Sequence, residues 1–160
     1  MGKLKRFILP NYCYFVTTVV KDRKKLLLNE NICALILEDL EFYRKKHQFL
    51  LHAYVIMPDY LHLLLSLRGN GNISKIMHDF KSHTAQQINR TLRRKGALWQ
   101  EGFYDHVIRD EGDFKKRIDY IHKNPSTSGL VKEIADYRFS SFRNYFMEDD
   151  SVIKIDRFQW

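Results

Sequence analysis

Two apolar-rich runs, residues 50–57 and 60–67, meet across Pro58-Asp59, and this hairpin limits the available folds more than any other feature of the chain. Both runs have strand length. Pro58 brings a pre-set φ and Asp59 a local acceptor, so the dipeptide reads as the turn. A helix is expected on each side. Over 31–46, Ile32, Leu35, Ile36, Leu40 and Tyr43 share one helical face. Residues 72–95 form the longest helix, with Ile73, Ile76, Met77, Phe80, Thr84, Ile88 and Leu92 as its inward stripe. A β-branched and aromatic strand over 12–20 precedes them. A short strand over 105–109 follows, then a third helix over 113–124 that Pro125 should stop, and a last short helix over 139–145. The order β-α-β-β-α-β-α suggests an α+β, ferredoxin-like antiparallel sheet with helices packed on it. That architecture hosts many functions and selects none.

A chain of 160 residues fits one domain, 1–160, long enough for a real core. Lys plus Arg outnumber Asp plus Glu by 27 to 19, a formal charge of +8. Such an excess favours polyanions such as DNA, RNA or an acidic membrane surface, without choosing among them. Cys13 and Cys33 sit in apolar stretches outside any C-x-x-C pair and read as buried free thiols of a reducing cytoplasm. Pro10 cuts the first apolar run far short of a signal-peptide core, and no run approaches a membrane span. A cytoplasmic, nucleoid-associated protein with no membrane partner is the expectation.

On the third helix, Phe114, Ile118 and Ile121 cluster toward the core, whereas Asp113, Lys116, Tyr120 and Asn124 cluster on another face, away from it. A phenol becomes a nucleophile when a base, a cation or a metal stabilises its anion. On spacing alone, Tyr120 reads first as a tyrosine at the edge of the helix-sheet contact. On the third strand, Tyr60, His62, Leu64 and Ser66 alternate with Leu61, Leu63 and Leu65. His62 has the chemistry of a metal ligand, but one imidazole does not make a site, and a hydrogen-bonded structural histidine is the simpler reading. No histidine pair has zinc-motif spacing, and Gly69-Asn70-Gly71 lacks the lysine of a P-loop. Lys75, Ser82, His83, Gln86, Asn89, Arg90 and Arg93 line the outer side of the long helix. Arg93-Arg94-Lys95 ends it, where cations also suit the helix dipole. The stripe suits phosphate contacts as well as solvent. Tyr12, Tyr14, Trp99, Phe103 and Tyr104 are candidates to stack on unpaired bases, or core residues.

The order of these signals carries more than any one of them. Met57-Pro58-Asp59-Tyr60-Leu61-His62-Leu63-Leu64 resembles the Met-Pro-Asn-His-hydrophobe-His-Leu-Leu signature of the REP-associated tyrosine transposases, relatives of the insertion-sequence-200 transposases. Phe80-Lys81-Ser82-His83-Thr84-Ala85 with Ile88-Asn89 resembles the family's helix motif. Trp99-Gln100-Glu101-Gly102-Phe103-Tyr104-Asp105-His106 resembles its tryptophan motif. Tyr120-Ile121-His122-Lys123-Asn124-Pro125, then Gly129-Leu130-Val131, resembles its nucleophile motif, and Tyr137-Arg138-Phe139-Ser140-Ser141 its closing motif. The likeness spans residues 10–145 and leaves a tail, 146–160.

The resemblance implies a ferredoxin-like fold and a DNA transposase that cleaves and rejoins single-stranded or hairpin DNA. It implies that Tyr120 attacks the scissile phosphate to give a 5′-phosphotyrosine and a 3′-hydroxyl. It implies a divalent ion, Mg2+ or Mn2+, held by His62 and Asn124. Lys81, Gln86, Arg90, Arg93, Arg94 and Lys116 are the candidate DNA contacts. A monomer is favoured over a homodimer. The chain departs from the signature at Tyr60, which stands where the family has the first histidine of the pair. A neutral phenol is a poor ligand for these ions. Three outcomes stay open: a metal held by His62, Asn124 and water; substitution by His106 or Asp59; or a catalytically impaired protein that only binds DNA. A ferredoxin-like RNA-binding module would need exposed aromatics on the central strands, where Leu61, Leu63 and Leu65 stand instead.

Overall fold

The computed structural model describes residues 13–157; Tyr12 and the basic start of the chain lie outside them. The elements are Cys13–Val19 (β1), Glu30–His47 (α1), Leu50–Ile56 (β2), Tyr60–Ser66 (β3), Ile73–Leu92 (α2), Tyr104–Val107 (β4), Glu111–Thr127 (α3) and Phe142–Phe146 (α4). The strands pair antiparallel in the order β2-β3-β1-β4, the arrangement expected of a ferredoxin-like sheet. The register sets Thr17 opposite His62, Tyr104 opposite Thr17, and His106 opposite Phe15. These residues therefore meet on one face.

Both faces of the sheet are covered. Against one, α1 and α2 bury Ile32, Ile36, Leu40, Ile76, Met77, Phe80 and Ile88 on Leu61, Leu63 and Leu65. Against the other, α3 lays Phe114 and Ile121 on Phe15, Val55, Met57 and Leu64. β3 is consequently buried from Leu61 to Ser66, on its alternate side as well as its leucine side. Among the described residues no helix is long and apolar enough to cross a membrane. Cys13 and Cys33 are buried and free, and burial pushes both thiols up to about 12.

The helix ends correct several boundaries. Asn72 caps α2, its side chain accepting from Lys75 N at 3.1 Å, and Arg93 closes it in a left-handed conformation, φ 52°. Arg93-Arg94-Lys95 thus lies beyond the last turn rather than in it. Asp110 caps α3 through Asp113 N at 2.8 Å, so the helix begins at Glu111. Pro125 does not stop α3, which runs on to Thr127. So close to the end, the missing N–H costs only one hydrogen bond of the last turn. Ser128 N to Asn124 O and Leu130 N to Pro125 O close the turn, and Gly129 supplies the positive φ of 82° that ends it. The last short helix covers Phe142–Phe146, because the residues before it pair with the outer edge of β2 instead: Ile56 N donates to Phe139 O, and Ser140 bridges Val55. The tail packs too. Ile153 and Ile155 are buried, and Asp156 N donates to Leu51 O at 2.8 Å, closing the same edge.

Candidate active site

His62 points from β3 toward α3 and is 5% exposed. Its Nδ1 lies 2.7 Å from Thr17 Oγ1, the residue opposite it on β1, while its Nε2 is buried with no hydrogen-bond partner. Burial first, and the charge of Arg117 second, pull its pKa down to about 4, so the ring is neutral at pH 7. Three rings surround it: Tyr60 at 4.8 Å, Phe15 at 5.0 Å and Tyr120 at 5.4 Å between centroids. Tyr120 is 51% exposed, as the helical pattern allowed, and its ring meets Phe15 edge-on at 5.9 Å. A phenol reachable from solvent thus sits on a buried neutral imidazole.

Asn124 departs from expectation. It is 7% exposed and faces the sheet rather than solvent. From one turn beyond Tyr120, α3 carries Asn124 under Tyr60, whose hydroxyl donates to Asn124 Oδ1. Burial, then the neighbouring Tyr120 and Asp59, raise the Tyr60 pKa, so it stays a neutral donor. The other proposed substitutes are engaged as well. His106 Nε2 lies 2.8 Å from Asp113 Oδ2, and Asp59 pairs with Arg23 at 3.3 Å. Mg2+ and Mn2+ want several oxygen donors, preferably carboxylates. Here one imidazole nitrogen is unengaged, the amide oxygen already accepts from Tyr60, and the carboxylates of Asp59 and Asp113 are paired. Among the described residues no group of three or more His, Cys, Asp or Glu side chains is placed to hold a metal. The donor set does not fit a divalent cation.

The sequence model of transposases described as IS200-like matches residues 9–124, a span that holds His62, Tyr120 and Asn124. The chain belongs to the IS200-like transposase family. A Haemophilus influenzae protein named as a REP-associated tyrosine transposase is 31% identical over 155 residues, covering 89% of this chain and 86% of that one. The REP-associated tyrosine transposase of Escherichia coli K12 is 26% identical over 143 residues, covering 89% and 83%. A solved structure of a REP-associated tyrosine transposase bound to a REP hairpin superimposes with a TM-score of 0.73 at 23% identity, over 95% of this chain and 90% of that one.

In this member of the IS200-like family the candidate DNA contacts do not form one patch. Lys116 is exposed on α3, one turn before Tyr120. Gln86, Arg90 and Arg93 are exposed on or just beyond α2, across the sheet from Tyr120. Lys81 is engaged within the protein, donating to Gln100 O at 3.0 Å and to Gly102 O, and Arg94 donates to Asn89 Oδ1 at 2.6 Å. His83 lies 2.9 Å from Asp39 of α1. Trp99 is core, its Nε1 donating to Thr84 Oγ1 at 3.0 Å, whereas Tyr104 is exposed. Residue patterns missed Thr17, Phe15 and Arg117. The first two reach the site only through strand register. Arg117 could have been found three residues before Tyr120, on a neighbouring helical position.

Proposed function

We propose that this chain cuts and rejoins single-stranded DNA beside a hairpin, with Tyr120 as nucleophile. The observation that carries the reading is the half-exposed Tyr120 ring lying 5.4 Å from the buried, neutral His62, in a chain of this family. Tyr120 Oη attacks the scissile phosphorus. The Oη–P bond forms as the P–O3′ bond breaks, and the phenolic proton passes through water to the departing O3′. The products are a 5′-phosphotyrosine and a free 3′-hydroxyl. One ester replaces another, so no oxidant, reductant or nucleotide is consumed. Attack by another 3′-hydroxyl reverses the step and joins strands.

The +8 charge supports a DNA substrate, and the solved relative with its bound REP hairpin supports hairpin DNA in particular. The strand's path follows β4, at the edge of the sheet. There the 100–103 loop divides a hollow of about 370 Å3 on the α2 side from one of about 400 Å3 lined by Thr17, Val19 and Tyr104. DNA rounding this edge reaches both Arg90 and Tyr120, with Tyr104 available for stacking. Tyr120, His62 and Asn124 meet within one chain, which supports action as a monomer.

The test is a cleavage assay with 3′-labelled single-stranded hairpin DNA from the flanks of the gene, resolved under denaturing conditions. A covalent protein–DNA band is expected from the wild type and none from Tyr120→Phe, with equal melting temperatures because the residue is exposed. A second reading, hairpin binding without cleavage, is favoured by one observation: the Tyr60 hydroxyl occupies Asn124. Tight binding with no covalent band in any buffer would establish it.

A further inference from the structure

A cluster that lacks the donors for a metal still needs positive charge where the phosphate oxygens will be. Arg117 precedes Tyr120 by three residues on α3, so the two side chains leave the helix as neighbours. Its guanidinium carbon lies 4.8 Å from the centroid of Phe15. That ring is also the one Tyr120 meets at 5.9 Å and His62 at 5.0 Å. Phe15 is buried, so its ring is a fixed contact shared by all three groups.

Arg117 is held from its other side as well. Its Nε lies 3.7 Å from Asp113 Oδ1. Asp113 Oδ2 is 2.8 Å from His106 Nε2 and accepts from Arg109 N at 3.0 Å. Stacking and pairing fix the head group, yet 27% of the side chain remains exposed, and a guanidinium has five donors. A planar fork of this kind matches two phosphate oxygens at once, with a charge that does not titrate away.

We propose that Arg117 is a catalytic residue of this chain: it grips the non-bridging oxygens of the scissile phosphate, so that strand transfer at Tyr120 needs no divalent cation. The proposal rests on the strand-cleavage reading. The bond changes are those given above, and the guanidinium gains and loses no proton. Its contribution is fixed positive charge against the charge that develops in the transition state. Tyr60 is the counterpart of this arrangement, since by capping Asn124 it closes the place a metal would use.

The experiment is the covalent-band assay with the full chain and the 3′-labelled hairpin DNA, run in EDTA and in manganese. The wild type is expected to form the band equally well in both. Arg117→Gln is expected to lose it by on the order of 100-fold in EDTA, far more than it weakens binding of the hairpin. Adding Tyr60→His to Arg117→Gln is expected to restore the band in manganese but not in EDTA, a rescue that a purely structural role for Arg117 would not give. A wild-type band that EDTA abolishes, or an Arg117→Gln protein as active as the wild type in EDTA, would overturn the proposal. Titration of the DNA-free protein with manganese, followed by electron paramagnetic resonance, provides a readout that needs no cleavage. The wild type should bind no ion at this site and Tyr60→His should gain one; an ion bound by the wild type overturns the metal-free site. Absence of any wild-type band in both buffers fails the cleavage reading itself, and Arg117's catalytic role with it.

Discussion

Under α1 and α2, β3 contributes Leu61, Leu63 and Leu65, and the groups that meet them are almost all apolar. Under α3, the same strand contributes Tyr60, His62, Leu64 and Ser66, and the groups that meet these include Thr17, His52 and Asn124. On the first side β3 itself offers only leucines, although Thr18 Oγ1 and Tyr54 Oη beside them are buried without a hydrogen-bond partner. The other buries polar atoms and leaves some unsatisfied: His62 Nε2, and, on α3 itself, His122 Nδ1. An unpaired buried polar atom costs about 1–3 kcal/mol. Both faces carry that cost; what distinguishes the second is that its polar groups, Tyr60, His62 and Asn124, gather beside the exposed Tyr120.

Acid should break the α3 side first. Burial is the leading cause that pulls both His62 and His122 down to about 4, from an ordinary value of 6.5. Between pH 6.5 and about 4 the unfolded chain therefore holds more protons than the fold. Stability is full above that window and falls as the pH drops through it. The loss is on the order of 3 kcal/mol per histidine once both are protonated. Urea unfolding at pH 7 and at pH 4 measures it, and His122→Leu should flatten the profile by about half. A wild type equally stable at both pH values would sink this account.

Next in size is a pair of neighbours on β3. Leu63→Ala empties a fully buried site on the apolar face and should cost about 3 kcal/mol. His62→Leu, one residue away on the other face, should change stability by no more than about 1 kcal/mol, because removal of an unpaired nitrogen offsets loss of the Thr17 bond, and should slow strand transfer. Denaturant midpoints read both. Equal destabilisation by the two would mean that the faces are not different in kind.

This contrast also separates what the sequence made legible from what it did not. The apolar stripes of α1 and α2 repeat at helical spacing, so both helices, the hairpin and the succession of strands and helices along the chain could be read from local pattern. Tyr120 and His62 could be named from motif order. Their meeting, and the partners that define the site, depend on register between β1, β3 and β4 and on the rotation of α3 over the sheet. Asn124 is the clearest case. Counting residues along an isolated helix put it on the outer face with Tyr120, but α3 lies against β2 and β3 and turns Asn124 inward beneath Tyr60. Pro125 misled for a related reason: a proline two residues from a helix end removes too little to end it.

A smaller effect should come from Thr17. Its hydroxyl, 2.7 Å from His62 Nδ1, anchors that ring across the β1–β3 register. Thr17→Val keeps the shape and removes the bond, at a cost of about 1 kcal/mol in unfolding free energy. If the bond orients the imidazole, strand transfer falls further than stability does. A variant that loses stability but keeps its full rate of band formation would reduce His62 to a packing residue.

The smallest effect tests whether the solvent side of α2 shares the substrate with α3. Arg90 is exposed on α2, so Arg90→Gln should change unfolding free energy by no more than about 0.5 kcal/mol. If DNA rounds the β4 edge, Arg90 neutralises one phosphate. Removing it should then weaken hairpin binding several-fold and make the plot of log affinity against log salt shallower by about 0.7–0.9. Fluorescence anisotropy over a series of salt concentrations measures both. The slope is the sharper readout, because a general loss of fold lowers affinity without counting phosphates. An unchanged slope for Arg90→Gln, beside a shallower one for Lys116→Gln, would confine the DNA to the α3 side, and the cations of α2 would then serve only solvation.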